Sequence, residues 1–124
     1  MIINLKKIPA DKYTTEQMFD KHYFNGGGKV GGYSNEGFRD FGCHEITARK
    51  VIERHPESVL EIGCARGYIL KKLQSMGIRT TGLEVSRHCV MTRACDPVIQ
   101  WNACNVPWPV EDASFDLALT VATF

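Results

Sequence analysis

The stretch Val59-Leu60-Glu61-Ile62-Gly63-Cys64-Ala65-Arg66-Gly67-Tyr68-Ile69-Leu70 decides how this chain folds. It opens, from Ser58, as a short apolar run of the kind that forms a buried strand. Gly63 and Gly67 then bracket a turn of small residues. Glycine permits backbone conformations closed to other residues there and lets a ligand approach the main chain. From Gly67 to Gly77 the apolar residues Ile69, Leu70, Leu73 and Met76 share one helical face, with Gly77 placed as the C-cap. The start of such a helix offers free N–H groups and a positive dipole end. Ligands of open parallel sheets bind at the carboxyl ends of strands, where this turn lies. Glu61, near the end of the strand, is expected to turn its carboxylate towards that crevice.

The alternation continues downstream. RTTGLEV (79–85) is a second strand, and SRHCVMTRAC (86–95) a second helix with Ser86 as N-cap and Asp96-Pro97 beyond its end. VIQW (98–101) is a third strand, NVPWPVEDAS (105–114) a loop marked by Pro107 and Pro109, and FDLALTVATF (115–124) a fourth apolar run. Strands separated by helices of this length imply βαβ units and a parallel sheet. Glu84 ends the second strand about 20 positions after Gly63, where an acid can accept two hydrogen bonds from a ribose. Turn and acid together point to an adenosine pocket. The bland alternative is a turn whose glycines serve packing alone, with Glu84 a solvated strand-end charge.

The dinucleotide fingerprint asks for a third glycine where this chain has Tyr68, so the pattern is G-x-A-x-G, which disfavours an NAD-dependent oxidoreductase. Gly28-Lys29 is followed by Val30 and has no strand before it, so it is no P-loop. No G-x-S-x-G supports acyl transfer. His22, His44, His55 and His88 have no evident orienting partner, and no catalytic base can be named.

Upstream, TTEQMFDKHYF (14–24) reads as one short helix, capped by Thr14 or Thr15, with Met18, Phe19 and Tyr23 on one side. Six glycines follow between Gly26 and Gly37. HEITARKVIERH (44–55) reads as a helix with Ile46, Ala48, Val51 and Ile52 towards one face and Pro56 beyond its end.

The chain of 124 residues is 44% hydrophobic and 23% charged, with a net charge of +1, as expected of a soluble folded domain rather than a disordered chain. Balanced charge gives no electrostatic reason for general nucleic-acid or membrane binding, although recognition by a few local contacts stays open. The N-terminal MIINLKKIPADKY is too short in apolar residues for a signal peptide or a membrane span. Five cysteines without a C-x-x-C pair fit reduced thiols in a cytoplasm, and no metal site is expected despite Cys43-His44 and His88-Cys89.

With these residues in view, the chain resembles a class I S-adenosylmethionine-dependent methyltransferase of the small-molecule type, from about Tyr23 to Phe124. EIGCARG (61–67) is similar to the family's first motif, acidic-x-G-x-G-x-G, with Ala65 replacing the middle glycine. GLEVS (82–86) resembles the second, whose acid holds the ribose hydroxyls. NVPWPVEDASFDLALT (105–120) resembles the loop and fourth strand after the adenine contact. Where the family commonly has Asp-Ala before that loop, this chain has Asn102-Ala103, and an Asn carbonyl can accept the same hydrogen bond.

The resemblance implies an α/β, Rossmann-like, three-layer parallel sheet with flanking helices, of which about four strands are supplied. It implies S-adenosyl-L-methionine as cofactor, held by Glu61, Gly63, Cys64, Ala65, Gly67, Glu84, Val85, Asn102 and Ala103, with Tyr33 near the methionine end. Residues 1–43 would be a helical and glycine-rich, lid-like segment, and 44–124 a partial cofactor-binding domain. The family's sheet has seven strands with the first and fourth adjacent, so the chain is expected to be the N-terminal portion of a longer methyltransferase acting on a small-molecule acceptor. Alone it is expected to bind cofactor weakly and methylate nothing. The alternative from another class is a non-catalytic binding or assembly module, completed by another chain along the exposed fourth strand.

Overall fold

The apolar runs form four strands, β1 (Ser58–Ile62), β2 (Arg79–Glu84), β3 (Val98–Gln100) and β4 (Leu117–Thr120). They make one wholly parallel sheet in the order β3-β2-β1-β4, with Leu60 opposite Thr81 on one side and Ala118 on the other. The structure is a computed structural model and describes residues 14–26, 32–33 and 37–121. The N-terminal stretch before Thr14, most of the glycine cluster, the Gly28-Lys29-Val30 sequence and the last three residues lie outside the described residues.

The helices are α1 (Thr15–Met18), α2 (Lys21–Asn25), α3 (Gly42–Ile52), α4 (Tyr68–Gln74) and α5 (Arg87–Met91). Strand parity sorts the core. Val59 points to the face covered by α3 and α4, where it packs with Ala48, Val51, Ile69, Leu70 and Leu73. Val59, Leu70 and Leu73 are fully buried, each contributing about 1.5–3 kcal/mol. Leu60, Ile62 and Leu83 face the other way, against Trp108, Val110 and Phe115. The long β3–β4 connection thus crosses that face of the sheet while the helices hold the first, which gives three layers. The chain reverses its direction of travel between β1 and β4, and such a switch point leaves a crevice at the strand ends.

Local chemistry sets the ends of the elements. Gly77 sits at φ +83, with its N–H donating to Gln74 O and the Ile78 N–H to Leu73 O. That is a Schellman end for α4. Met76 lies past the helix and is 55% exposed, not on the buried face expected of it. Ser86 caps α5 by accepting the Cys89 N–H.

The expected single helix over 14–24 is two. Thr14 and Gln17 form a capping box at α1, and the Asp20 carboxylate then accepts the Tyr23 N–H to start α2. Helix α3 begins at Gly42, two residues ahead of the reading, because the His44 Nδ1 folds back to accept the Phe41 N–H. Its buried stripe is His44, Ala48 and Val51, leaving Ile46 59% exposed rather than on the core face. No helix of the described residues is long and apolar enough to cross a membrane.

Gly82, in the middle of β2, shows why one strand position must lack a side chain. A Cβ there would lie 2.5 Å from Cys64 Sγ and 2.9 Å from Leu70 Cδ1, so glycine lets the first turn and α4 settle onto the sheet. Gly82→Ala should destabilise the fold by about 1–3 kcal/mol in urea unfolding. Adding Cys64→Ala should recover part of that loss.

Candidate functional site

The first turn is held from three sides. Leu83 O accepts the N–H groups of Gly63 (2.8 Å) and Cys64 (3.3 Å), and the Ala94 N–H donates to Arg66 O. The third hold is Glu84. Its Oε2 accepts the Ala65 N–H at 2.6 Å and its Oε1 the Ser86 N–H at 2.9 Å. Only 6% of Glu84 is exposed, so it is no solvated strand-end charge. Burial pushes its pKa up, while the backbone N–H groups of Ser86, Ala65 and Val85 pull it down. Ala65 adopts φ +51, the left-handed region where the family's motif has glycine, and Gly63 and Gly67 lie in the same region at +74 and +78.

Beside this turn opens a cavity of about 260 Å³. Gly63, Ala65, Glu84, Val85, Asn102, Ala103 and Tyr33 line it, so the fold brings together seven of the residues singled out in the sequence. Three others stand back from the wall. Gly67 makes the turn into α4, where an added Cβ would meet Cys95 Sγ at 2.9 Å. Cys64 is buried beneath α4. Glu61 shares the parity of Val59, so its carboxylate lies on the helix-covered face rather than in the crevice.

Glu61 is 3% exposed, and its Oε2 has no hydrogen-bond partner. Burial, with the Glu84 charge adding to it, raises its pKa to about 8. The Asn102 side chain is already engaged: Oδ1 accepts the Cys104 N–H at 2.9 Å, and Nδ2 lies 3.5 Å from Thr15 Oγ1.

Part of the wall was missed in the sequence. Thr15, Phe19, Tyr23 and Phe24 come from α1, α2 and the link between them, and Trp101 and Cys104 flank the expected Asn102-Ala103 pair. The available signal was the apolar side of Met18, Phe19 and Tyr23, a stripe on a short segment with no partner assigned. Those rings form a cluster with Tyr33, Phe38 and Phe41 that also buries Cys89, whose thiol is pushed up to about 12 by burial.

Comparison with known proteins agrees with this architecture. Residues 60–124 match the family model described as a methyltransferase domain. That is half of the chain, and the chain belongs to this family, the class I S-adenosylmethionine-dependent methyltransferases. No curated protein and no solved structure matches it.

Two measurements check the buried carboxylates. Glu84→Ala leaves the buried Ala65 and Ser86 N–H groups without their acceptor and should cost about 2–4 kcal/mol in chemical denaturation without any ligand. Glu61 behaves differently, because its raised folded-state pKa favours the protonated form. It binds a proton in the native state that the unfolded chain has released between pH 4.5 and about 8. Its contribution to stability therefore falls as pH rises through that window. Glu61→Gln should be near neutral at pH 4.5 and increasingly stabilising towards pH 8, read from paired denaturation curves.

Proposed function

We propose that the cavity binds S-adenosyl-L-methionine and that the chain is the cofactor-binding part of a methyltransferase acting on a small-molecule acceptor. The observation that carries this reading is the position of Glu84. It lines a mostly apolar cavity beside the Gly63–Ala65 turn, at the switch point between β1 and β4.

The residues present fit such a ligand. Glu84 has spare lone pairs beyond its backbone bonds and would take the ribose hydroxyls. Val85 and Ala103 offer apolar surface for a flat base, with Asn102 for its polar edge. The turn formed by Gly63, Cys64, Ala65 and Gly67 lets the ligand approach the backbone, and Tyr33 covers the methionine end. When bound, the cofactor supplies a methyl group already activated on a sulfonium. What the chain adds is orientation and exclusion of water by the aromatic wall. None of its histidines lines the cavity, so no base is assigned. Residues 1–43 serve as the lid-like segment and 44–124 as the cofactor-binding domain. Five free thiols favour the cytoplasm as the site of action.

Calorimetry with S-adenosylhomocysteine and NAD tests the reading. The homocysteine nucleoside should bind at one site per chain and NAD should not. Ala103→Phe, which fills the cavity, should abolish that binding while leaving the thermal transition within a few degrees of the parent. Binding of NAD alone, or undiminished binding by Ala103→Phe, overturns it.

A further inference from the structure

The cavity has two kinds of wall. On the sheet side stand Ile62, Leu83 and Val85. On the other stand Phe19, Tyr23, Phe24 and Tyr33, packed edge to face, with ring centroids 4.9 Å apart for Phe19–Tyr23 and 5.6 Å for Tyr23–Tyr33. This second wall is a cover built from α1, α2 and the described residues Tyr33, Phe38 and Phe41. Polar contacts of its described residues tie it to the rest of the fold. The Lys72–Asp40 ion pair, 2.8 Å long, joins an Asp side chain that is 45% exposed, and such pairs hold little. The Asn102–Thr15 contact is 3.5 Å.

The contact from the first turn is Arg66. Its Nη1 donates to Phe38 O at 3.3 Å, and its Nη2 reaches Asn25 Oδ1 at 3.5 Å and His88 Nε2 at 3.0 Å. Phe38 and Asn25 belong to the cover, and His88 to α5. A guanidinium has donors only, so His88 Nε2 must be the acceptor, and the imidazole carries its single proton on Nδ1. The His88 ring also stacks against Phe24, a cavity-lining ring, at 6.3 Å and 30°. Protonation would remove the acceptor and set two cations face to face at the distance of a hydrogen bond. Phe24 would feel the displacement directly.

We propose that Arg66 and His88 form a proton-sensitive latch that holds the aromatic cover over the cavity only while the imidazole is neutral. The surroundings of His88 favour the neutral imidazole on balance. Burial, Arg66 and Lys21 of α2 press its pKa below the ordinary 6.5, and Asp20 at the head of α2 opposes them. A base whose pKa is lowered in the closed state is neutral there. Closure is complete above the ordinary histidine value and is lost as pH falls through the lowered one. The latch is a property of the cover itself. Its meaning for cofactor retention rests on the function proposed above.

Three cysteines make the test. Cys89 is fully buried under the cover, Cys64 is buried beneath α4, and Cys104 is exposed. Alkylation of the full chain is followed by peptide mass spectrometry at pH 7.5 and 5.5, with Cys104 correcting for the intrinsic pH dependence of thiols. The labelling of Cys89 relative to Cys104 should rise at pH 5.5, by at most about tenfold at one pH unit below the ordinary histidine value, while Cys64 stays protected. His88→Gln keeps a neutral acceptor within reach of Arg66, and its Cys89 ratio should stay flat. An unchanged ratio in the parent, a parallel rise at Cys64, or a response in His88→Gln equal to the parent's overturns the latch. Titration of S-adenosylhomocysteine at the same two pH values separates the two readings. A Cys89 response without any binding of the nucleoside upholds the latch and removes the cofactor.

Discussion

The Glu84 carboxylate, accepting the N–H groups of Ala65 and Ser86, is the bond on which the site depends. One oxygen fixes the turn that leaves β1, and the other fixes the start of α5 after β2. Two successive βα turns are thereby locked together at the crevice edge. The arrangement gives a buried charge the fixed dipoles it needs, since a carboxylate removed from water is tolerated only when its oxygens are satisfied. It also explains how Ala65 is kept at a positive φ, a conformation that costs about 1–2 kcal/mol for a residue with a side chain. The hydrogen bond at its nitrogen holds it there.

Two acids a few residues apart in the sheet are handled in opposite ways. Glu84 is surrounded by backbone donors that favour its charge, whereas Glu61 sits between strand and helix with an oxygen left unpartnered. Both share one strand parity, so the difference follows from where each lies relative to the end of its strand. A residue at a strand's last position meets free N–H groups of the next turn. One position inside the sheet, on the helix-covered face, those groups are already spent on the ladder. The same parity that makes β1 a core strand leaves Glu61 desolvated.

The order of strands and helices was legible because each element carries its own punctuation: glycines at the first turn, Ser86 before α5, Gly77 after α4. The turn and the acid of the second strand were legible for the same reason, as local patterns with a fixed spacing. What could not be read is what depends on packing between distant segments. Nothing in HEITARKVIERH says that His44 rather than Ile46 turns inward. That choice comes from a cap formed with Phe41 and from aromatic neighbours that only the fold assembles. Asp20 splits the first helix by capping from within it, a role that its residue type allows but does not announce. The aromatic wall was visible only as an unpaired stripe, because its partners lie across the glycine cluster and in α5.

The chain has two tryptophans, and both lie in the β3–β4 connection that crosses the sheet. Trp101 stands in the wall of the cavity, its Nε1 donating to Asn105 O, and Trp108 lies on the opposite face of the sheet from the helices, its Nε1 donating to Ala103 O. The indole fluorescence of this protein is therefore a local signal. Under red-edge excitation, where the four tyrosines are silent, emission reports on one connection and on the cavity it borders, and the helical face contributes nothing. The molecule carries its own optical probe at the place where a ligand would be seen.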